Sequence, residues 1–223
     1  MRVYLARDLR EASKNCAQKN RELLENAGII MVNVLGAPGA GKTSLLEETL
    51  KAFMGRYRAS VIEGDLYTSE DAQRLERWCR GVVQINTEGA CHLEAGYIGC
   101  LLTREKEPLL AGTDIIFVEN IGNLICPAEF DLGEDIRVSL LSVAEGNDKP
   151  RKYPLVFKEA HAVVITKCDL MPYVDFDLER AVEDLRLLNE ELEIFPLSTK
   201  TGEGVEAWCS WLKKQLESRT KTK

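Results

Sequence analysis

Two features of exported and membrane proteins are missing from the chain. Its first residues, MRVYLARDLREASKN, contain no apolar core of the kind that a signal peptide has. No apolar run in the sequence approaches the roughly 20 residues of a membrane-spanning helix. We therefore expect a cytoplasmic protein that does not enter a membrane.

The chain also lacks a positive charge balance. It has 29 Lys and Arg residues against 36 Asp and Glu residues, a net charge of −7. Because nucleic-acid binding depends on clusters of Lys and Arg, this balance argues against a nucleic-acid partner. At 223 residues, with 45% hydrophobic and 29% charged residues, the composition is that of one compact globular domain. Repeats, low-complexity tracts and a convincing linker are absent from the sequence.

Histidine is scarce, with two residues, whereas cysteine occurs seven times. In the cytoplasm, cysteines are typically reduced thiols or metal ligands rather than members of a disulfide framework. One of the two histidines directly follows a cysteine, in the pair Cys91-His92.

Short apolar runs alternate with amphipathic segments along the chain, which indicates an α/β fold. Because the runs are almost continuously apolar, we expect a mainly parallel sheet buried between helices, as in a three-layer P-loop NTPase. Strands are predicted within 29–36, 59–65, 81–86, 114–120, 135–146, 160–167 and 193–198. Helices are predicted within 6–28, 42–54, 69–80, 93–105, 177–189 and 204–218, the first ending at Gly28 and the third capped by Ser69. Residues 120–134 and 145–158 are the long stretches without a predicted element.

The stretch GAPGAGKT, residues 36–43, matches the phosphate-binding pattern G-x-x-x-x-G-K-[ST]. It lies after a predicted buried strand and before a predicted helix, which is the context that this motif requires. Glycines let the backbone amides approach phosphates, Lys42 is predicted to reach the β- and γ-phosphates, and Thr43 to hold Mg²⁺. The predicted phosphate-side residues are Gly36, Ala37, Pro38, Gly39, Ala40, Gly41, Lys42, Thr43 and Ser44.

Nucleotide hydrolysis also needs a carboxylate near the metal ion. Glu119 and Asp65 each end a predicted buried strand, and ligands in parallel α/β sheets bind at that end of the strands. Either acid is a candidate to bind Mg²⁺, directly or through water, or to orient the attacking water. Asp71 is a weaker candidate, because a helix N-terminus alone explains an acid there.

The stretch Thr166-Lys167-Cys168-Asp169 is similar to the guanine-reading N-K-x-D element of GTPases. A carboxylate at Asp169 can accept two hydrogen bonds from guanine, whereas adenine offers no such donor pair. Thr replaces the usual Asn, which alters one orienting contact. The stretch LSTKTG resembles the second base-side loop of GTPases and adds Ser198, Thr199 and Lys200 as candidates. The two elements together favour GTP over ATP.

Thiolate and imidazole ligands suit Zn²⁺ and Ni²⁺, and Cys91, His92 and Cys126 are the candidates for such a site. The alternative for each is that a small apolar residue packs in the core. That alternative is adopted for the cysteines in predicted helices, and a structural or surface role is assigned to His161. Those cysteines are Cys16, Cys79, Cys100 and Cys209.

Four stretches together, GAPGAGKT, GACHLEA, VENIGNLICP and TKCD, closely resemble the HypB family of hydrogenase-maturation nickel chaperone GTPases, in the SIMIBI class of P-loop NTPases. The resemblance implies a GTPase that helps to insert nickel into [NiFe]-hydrogenase precursors. Because the sequence shows no clear arginine finger, we expect its Mg²⁺-dependent hydrolysis to be slow. The resemblance also implies a homodimer promoted by GTP and metal, with Cys91, His92 and Cys126 binding Zn²⁺ or Ni²⁺ at the subunit interface. It further implies a HypA-like nickel chaperone and the hydrogenase large-subunit precursor as partners. The implied organisation is an N-terminal helix in residues 1–27 packed on or beside the domain, a GTPase domain in 28–218 and a flexible tail in 219–223.

Two departures from relatives limit the expected metal sites. The chain has no histidine-rich N-terminal tract and no Cys-x-x-Cys-Gly-Cys stretch, so we expect no nickel storage and no tight N-terminal site. Gly96 stands where some relatives have a further histidine, which puts a second interface metal in doubt.

Three other functions remain open at this point. The chain can be a GTPase of a urease-type assembly pathway, although the Cys-Pro-His metal motif of UreG is absent. It can be an assembly switch whose zinc site is purely structural. It can also be a P-loop kinase, although no lid or basic acceptor site is evident.

Overall fold

A computed structural model describes residues 6–65, 70–104 and 112–220 of the chain; for residues 6–10, 65, 219 and 220 it describes the backbone alone. The fold is a parallel sheet of seven strands in the order β3-β2-β4-β1-β5-β6-β7. Its strands are β1 (Ile30–Leu35), β2 (Ala59–Asp65), β3 (Val82–Asn86), β4 (Ile115–Glu119), β5 (Ile136–Ser142), β6 (Ala162–Thr166) and β7 (Glu193–Pro196). The predicted three-layer α/β P-loop fold is confirmed.

Helices cover both faces of this sheet. They are α1 (Ala6–Ala27), α2 (Lys42–Phe53), α3 (Glu70–Glu76), α4 (Ala95–Thr103), α5 (Cys126–Glu129), α6 (Lys149–Lys152), α7 (Pro154–Lys158), α8 (Leu178–Leu188) and α9 (Val205–Thr220). Short 3-10 helices span Val143–Glu145 and Cys168–Tyr173. None of the described helices is both long and apolar enough to cross a lipid bilayer.

Alternating side chains of the central strands enter different cores. In β1, Val32 and Val34 pack with the apolar sides of α2 and α9, where Trp208 is buried. On the opposite face, Met31 packs with α1 and α4 through Leu24 and other buried residues. A third core on that face joins β5 and β6 to α7 and α8. The face that carries α1 and α4 is the one beside the candidate metal ligands.

The predicted long helices and strands are present, with shorter ends in several cases. The third helix ends at Glu76, so Cys79 follows it instead of lying within it as predicted. Short helices occupy parts of the two stretches for which no element was predicted. They could not be predicted because four or five residues are too few to show a helical period. Residues 66–69, which connect β2 to α3 and include the predicted cap Ser69, lie outside the described residues.

Candidate nucleotide and metal sites

The phosphate-binding loop connects β1 to α2 and has the backbone shape that its glycines allow. Gly39 and Gly41 have φ angles of 73° and 97°, in the left-handed region that favours glycine. The Lys42 side chain is buried, and its Nζ lies 3.3 Å from the Ala37 carbonyl oxygen and 3.5 Å from that of Gly36. The loop therefore folds around a lysine ammonium at the start of α2, and a lysine combined with a helix N-terminus is an arrangement that binds phosphate.

Glu119, at the end of β4, lies beside the phosphate-binding loop. The Thr43 hydroxyl donates a hydrogen bond of 2.8 Å to Glu119 Oε1. The other carboxylate oxygen is buried and has no hydrogen-bond partner among the described residues. Burial raises the pKa of Glu119 to about 7, although the Lys42 charge and the Thr43 hydroxyl oppose the shift. A buried oxygen pair of this kind fits a hard cation such as Mg²⁺.

The other predicted acids have different positions. Asp65 ends β2, but its side chain lies outside the described atoms. Asp71, in the first turn of α3, forms an ion pair of 3.1 Å with Arg74. Arg74 also forms an ion pair of 2.9 Å with Glu47, so its positive charge is paired with the carboxylates of both Asp71 and Glu47.

Glu63 is a buried carboxylate that the sequence reasoning missed. It pairs in register with Glu119 across β2 and β4, and 3% of its surface is exposed. The signal available in the sequence is a single acid inside the apolar run of a buried strand. Two buried acids therefore occupy neighbouring register positions in the strands beside the phosphate-binding loop.

The base-side turn after β6 contacts the phosphate-binding loop directly. The Thr166 hydroxyl donates a hydrogen bond of 2.6 Å to the Ala40 carbonyl oxygen. Lys167 has a φ of 60°, and its ammonium bonds the Gly39 carbonyl oxygen at 2.6 Å. Threonine at position 166 therefore still connects the two loops, although it replaces the expected asparagine.

The second base-side loop orients Asp169. The hydroxyl of buried Ser198 donates a hydrogen bond of 2.6 Å to Asp169 Oδ1 and accepts bonds of 3.2 Å from the backbone amides of Lys200 and Thr201. Thr199 is partly buried and Lys200 exposed in the same turn. The structure thus brings together the predicted phosphate-side and base-side residues at one edge of the sheet.

The three candidate soft ligands also meet. The ligand atoms of Cys91, His92 and Cys126 all lie within 4.8 Å of one another. Two sulfur ligands of one ion, each at about 2.3 Å, are at most about 4.6 Å apart, so small side-chain rotations suffice for a shared ion. The Cys91 Sγ lies 3.5 Å from His92 Nδ1. The hydrogen bond with Cys126, followed by burial, raises the pKa of the Cys91 thiol.

His92 is held as a neutral imidazole. Burial lowers its pKa, and nearby Glu94 and Glu129 oppose that shift. The ring stacks on Phe130 with centroids 3.9 Å apart, and its Nε2 is buried without a hydrogen-bond partner among the described residues. Metal ligation requires a neutral imidazole, and this environment supplies it.

The two ligand segments come from distant places in the sheet. Cys91 and His92 follow β3, Cys126 follows β4, and β2 lies between those strands. The chain crosses the end of β2 at Leu93: a Cβ atom on Gly64 would lie 2.9 Å from the Leu93 side chain. Glycine at position 64 therefore permits the crossing that brings the thiols together.

Asn123 joins the phosphate-binding loop to both ligand segments, and the sequence reasoning missed it. Its backbone amide donates to the Gly36 carbonyl oxygen at 3.0 Å, and its side-chain amide donates to the Cys91 carbonyl oxygen at 3.3 Å. Its Oδ1 accepts from the amide of Ile125, beside Cys126, at 2.9 Å. The repeated pattern of asparagine in ENIGN is the sequence signal that could have indicated a hydrogen-bonded loop.

The remaining cysteines and the second histidine lie elsewhere. Cys209 is buried and Cys79 partly buried, as a packing role requires, and burial raises the pKa of both thiols to about 11. Cys100 is exposed, so the predicted core role is wrong for it. His161 precedes β6, where its Nδ1 accepts a hydrogen bond of 3.0 Å from the Arg137 amide.

Comparison with known proteins places this geometry in a family. The model of the "CobW/HypB/UreG, nucleotide-binding domain" family matches residues 30–196. A hydrogenase maturation factor HypB from Azotobacter vinelandii is 39% identical over 221 residues, which are 99% of this chain and 72% of that protein.

Two solved structures of the same group superimpose closely. The crystal structure of HypB from Archaeoglobus fulgidus has a TM-score of 0.86 at 37% identity, with 92% of this chain and 99% of that chain covered. The crystal structure of HypB from Helicobacter pylori in complex with nickel has a TM-score of 0.86 at 35% identity, with 93% and 96% covered. The chain belongs to the CobW/HypB/UreG family of nucleotide-binding proteins and, within it, to the HypB hydrogenase maturation factors.

Proposed function

We propose that this protein is a GTP-hydrolysing metallochaperone that assists nickel insertion into [NiFe]-hydrogenase precursors. The observation that carries the proposal is the cluster of Cys91, His92 and Cys126, which Asn123 connects to the phosphate-binding loop. A GTPase that only hydrolyses nucleotide needs no soft-ligand cluster there. The nickel complex of the Helicobacter pylori relative supports nickel as the cargo.

The nucleotide is proposed to bind along the edge formed by the ends of β1, β4 and β6. Lys42 moves from the loop carbonyls to the β- and γ-phosphates, and the amides at the start of α2 bind phosphate oxygens. Asp169, oriented by Ser198, accepts the two guanine donors. Thr199 and Lys200 lie on the carbonyl side of the base.

The acids at the end of the sheet are proposed to hold Mg²⁺. Thr43 and Glu119 supply oxygen ligands at hydrogen-bonding distance from each other, and Asp65 ends the neighbouring strand. The ion, when bound, neutralises charge on the phosphate oxygens. Since Arg74, which reaches α2 through Glu47, is also paired with Asp71, its charge is already engaged and intrinsic hydrolysis is expected to be slow.

The metal cluster fits transferable cargo better than a structural zinc ion. Structural zinc sites have four protein ligands, whereas sites that exchange a ligand keep an open position. The described residues supply three ligands here, and Cys91 is exposed. In the monomer, a metal ion at this cluster is therefore accessible to a partner that delivers or accepts it, for which a HypA-like chaperone and the hydrogenase precursor are our candidates.

A two-fold dimer is proposed to form around the cluster. Ile125, beside Cys126, is 57% exposed, and Tyr97, on the helix that follows His92, is 40% exposed. Burial of these side chains against a second copy would place two equivalent ligand sets near the symmetry axis. A γ-phosphate that orders residues 119–126 would favour this arrangement, so GTP and metal would both promote the dimer.

A nickel titration of wild type and Cys126→Ser, each with GDP and with a non-hydrolysable GTP analogue, tests this function. We expect the wild type to bind nickel with an affinity that depends on the nucleotide. Loss of a ligand in Cys126→Ser should weaken nickel binding at least about 100-fold, since changing outer-shell partners alone costs 10- to 100-fold. Guanine-nucleotide affinity should stay unchanged.

The exposed cysteine of α4 provides the matched control, because Cys100→Ser removes a thiol outside the cluster. Sedimentation of the same samples should show a dimer that GTP analogue favours and nickel favours further. The proposal fails if Cys126→Ser binds nickel as tightly as wild type. Tight zinc binding that ignores the nucleotide would instead indicate a structural site.

A further inference from the structure

We infer that Asn20 of α1 is a positioning residue for the metal ligands, an inference that rests on the metal site proposed above. Asn20 is 1% exposed in the middle of α1. Its side-chain amide donates two hydrogen bonds, of 2.9 Å to the Ala95 carbonyl oxygen and of 2.8 Å to the Leu132 carbonyl oxygen. One amide group thus bridges two segments that are far apart in the sequence.

Both bridged segments carry metal ligands. Ala95 begins α4, directly after the stretch that contains Cys91 and His92. Leu132 follows α5, which begins at Cys126, and comes shortly after Phe130, on which the His92 ring stacks. The distance between these segments sets how far Cys126 lies from Cys91 and His92. Asn20 fixes that distance by its hydrogen bonds to both segments.

The fit of α1 against these segments leaves little space for adjustment. A Cβ atom on Gly133 would lie 2.5 Å from the Ala17 carbonyl oxygen, so the α1 backbone contacts the chain there. Arg21, which directly follows Asn20 in α1, forms an ion pair of 2.6 Å with Asp131. Because α1 is one rigid helix, these contacts and the Asn20 bridge move together.

Asparagine is the residue type that this bridge requires. Its amide nitrogen carries two N–H groups on a short side chain, so it can donate to two carbonyl oxygens at once. An aspartate at the same place would direct carboxylate oxygens at both carbonyl oxygens. A leucine has nearly the same size but donates no hydrogen bond, so it removes both links between α1 and the two segments.

The test compares nickel binding by wild type, Asn20→Leu and Asn20→Asp. Outer-shell residues that orient ligands change metal affinity by 10- to 100-fold, and we expect both variants to bind nickel about tenfold more weakly. Because ligand geometry changes, the nickel–thiolate charge-transfer absorption should also shift. Affinity for GDP should remain within about twofold of wild type, since Asn20 lies on the face of α1 and α4 and contacts neither base-side loop.

Asn189 supplies a matched control. Its side-chain amide also donates to two carbonyl oxygens, of Lys158 at 3.2 Å and Ala160 at 3.3 Å, but both lie away from the ligand segments. Asn189→Leu should leave the nickel affinity and the spectrum unchanged. If Asn20→Leu fails to fold, Arg21→Ala, which removes the partly exposed ion pair of the same helix with Asp131, should still weaken nickel binding, but by less than the roughly tenfold loss expected for the Asn20 variants.

Four outcomes overturn the inference. If folded Asn20 variants have wild-type nickel affinity and spectrum while Cys126→Ser loses nickel binding, the inference about Asn20 is contradicted and the proposed function is not. An equal loss in Asn189→Leu would show a general effect of destabilisation. A wild type that binds no nickel, or a Cys126→Ser variant without effect, would overturn the proposed function together with this inference.

Discussion

The nucleotide end and the metal cluster of this protein are built in different ways. The phosphate-binding loop is one continuous stretch in which Gly39, Gly41 and Lys42 are neighbours in sequence. The cluster of candidate metal ligands combines Cys91 and His92 with Cys126, from loops after two strands that are not adjacent in the sheet. A continuous motif keeps its geometry through local backbone preferences, whereas the cluster depends on the packing of several elements.

This difference predicts how mutations act. Changes in the continuous motif should abolish its chemistry and leave the cluster intact. Changes in the residues that connect the segments should alter metal binding by smaller factors, with nucleotide binding preserved. Four experiments examine this comparison, from the largest expected effect to the smallest.

The largest effect is expected for Lys42→Ala. The variant removes the ammonium group that is proposed to bind the β- and γ-phosphates. Removal of one such preorganised donor costs about 100- to 1,000-fold, so GTP hydrolysis should fall about 1,000-fold from an intrinsic rate on the order of 10⁻⁴ per second. Phosphate release under single-turnover conditions measures it.

Lys51→Ala is the matched control, since Lys51 lies on the same helix and pairs with Glu47 and Glu48. It should hydrolyse GTP as wild type does. Without nucleotide, wild type, Lys42→Ala and Lys51→Ala should bind nickel with the same affinity. Fast hydrolysis by the wild type itself would show that a catalytic group has been missed.

The choice of base should depend on Asp169. Two hydrogen bonds to a charged acceptor contribute about 1.5–3 kcal/mol each, so Asp169→Ala should lower the preference for GDP over ADP by about 200-fold or more. Ser198→Ala, which removes only the orienting hydrogen bond to Asp169, should have a smaller effect. Competition between labelled GDP and ADP measures both. Equal affinities of the wild type for GDP and ADP would refute guanine recognition.

Glu119→Gln should separate function from stability. Burial raises the pKa of Glu119 from 4.5 to about 7, so the folded, nucleotide-free protein binds a proton more tightly than the unfolded chain. The stabilisation that protonation gives is therefore present below pH 4.5 and lost as the pH rises through about 7. Glutamine resembles the protonated acid, so the variant should gain up to about 3 kcal/mol of unfolding free energy over wild type at pH 8.

Urea denaturation at pH 5 and pH 8, with EDTA and without nucleotide, measures this gain. The difference between variant and wild type should grow with pH, while GTP hydrolysis by the variant is lost. Glu206→Gln, at an exposed position on α9, is the control and should show no such pH-dependent gain. A stability difference that does not change with pH would contradict the raised pKa.

The smallest of the four effects concerns coupling between the two regions. Asn123→Ala removes the side-chain bonds to the Cys91 carbonyl oxygen and to the Ile125 amide but keeps the backbone bond to Gly36. Couplings between two sites amount to about 5- to 150-fold, and we expect the nucleotide dependence of nickel affinity to fall about tenfold. Asn123→Asp keeps the acceptor for Ile125 and should have an intermediate effect.

Nickel titrations with GDP and with the GTP analogue give this dependence for each protein. Asn189→Ala, which removes two side-chain bonds at a remote place, is the control. If the nickel affinity of Asn123→Ala depends on the nucleotide as strongly as that of wild type, the side chain of Asn123 does not couple the two sites.

Much of the nucleotide region could be predicted because its information is local. Continuous apolar runs specify buried strands, and the glycines of residues 36–41 allow backbone conformations that other residues avoid. Even the altered base-side motif could be located, although its Thr166–Ala40 contact could not. That contact joins residues 126 positions apart.

The metal region shows what sequence alone could not decide. Residue types suited to soft metals, and the resemblance to relatives, indicated Cys91, His92 and Cys126 as candidates. Their meeting depends on the order of β3, β2 and β4, on Leu93 crossing at Gly64, and on the bridges made by Asn20 and Asn123.

The sequence by itself thus determined the fold class, the phosphate-binding loop and the chemical nature of the candidate ligands, because backbone preferences and side-chain chemistry act over a few residues. Only the tertiary structure decided which ligands share one site and which helix supports it. Contacts between segments far apart in sequence form only when the sheet order and the close packing of the cores bring them together.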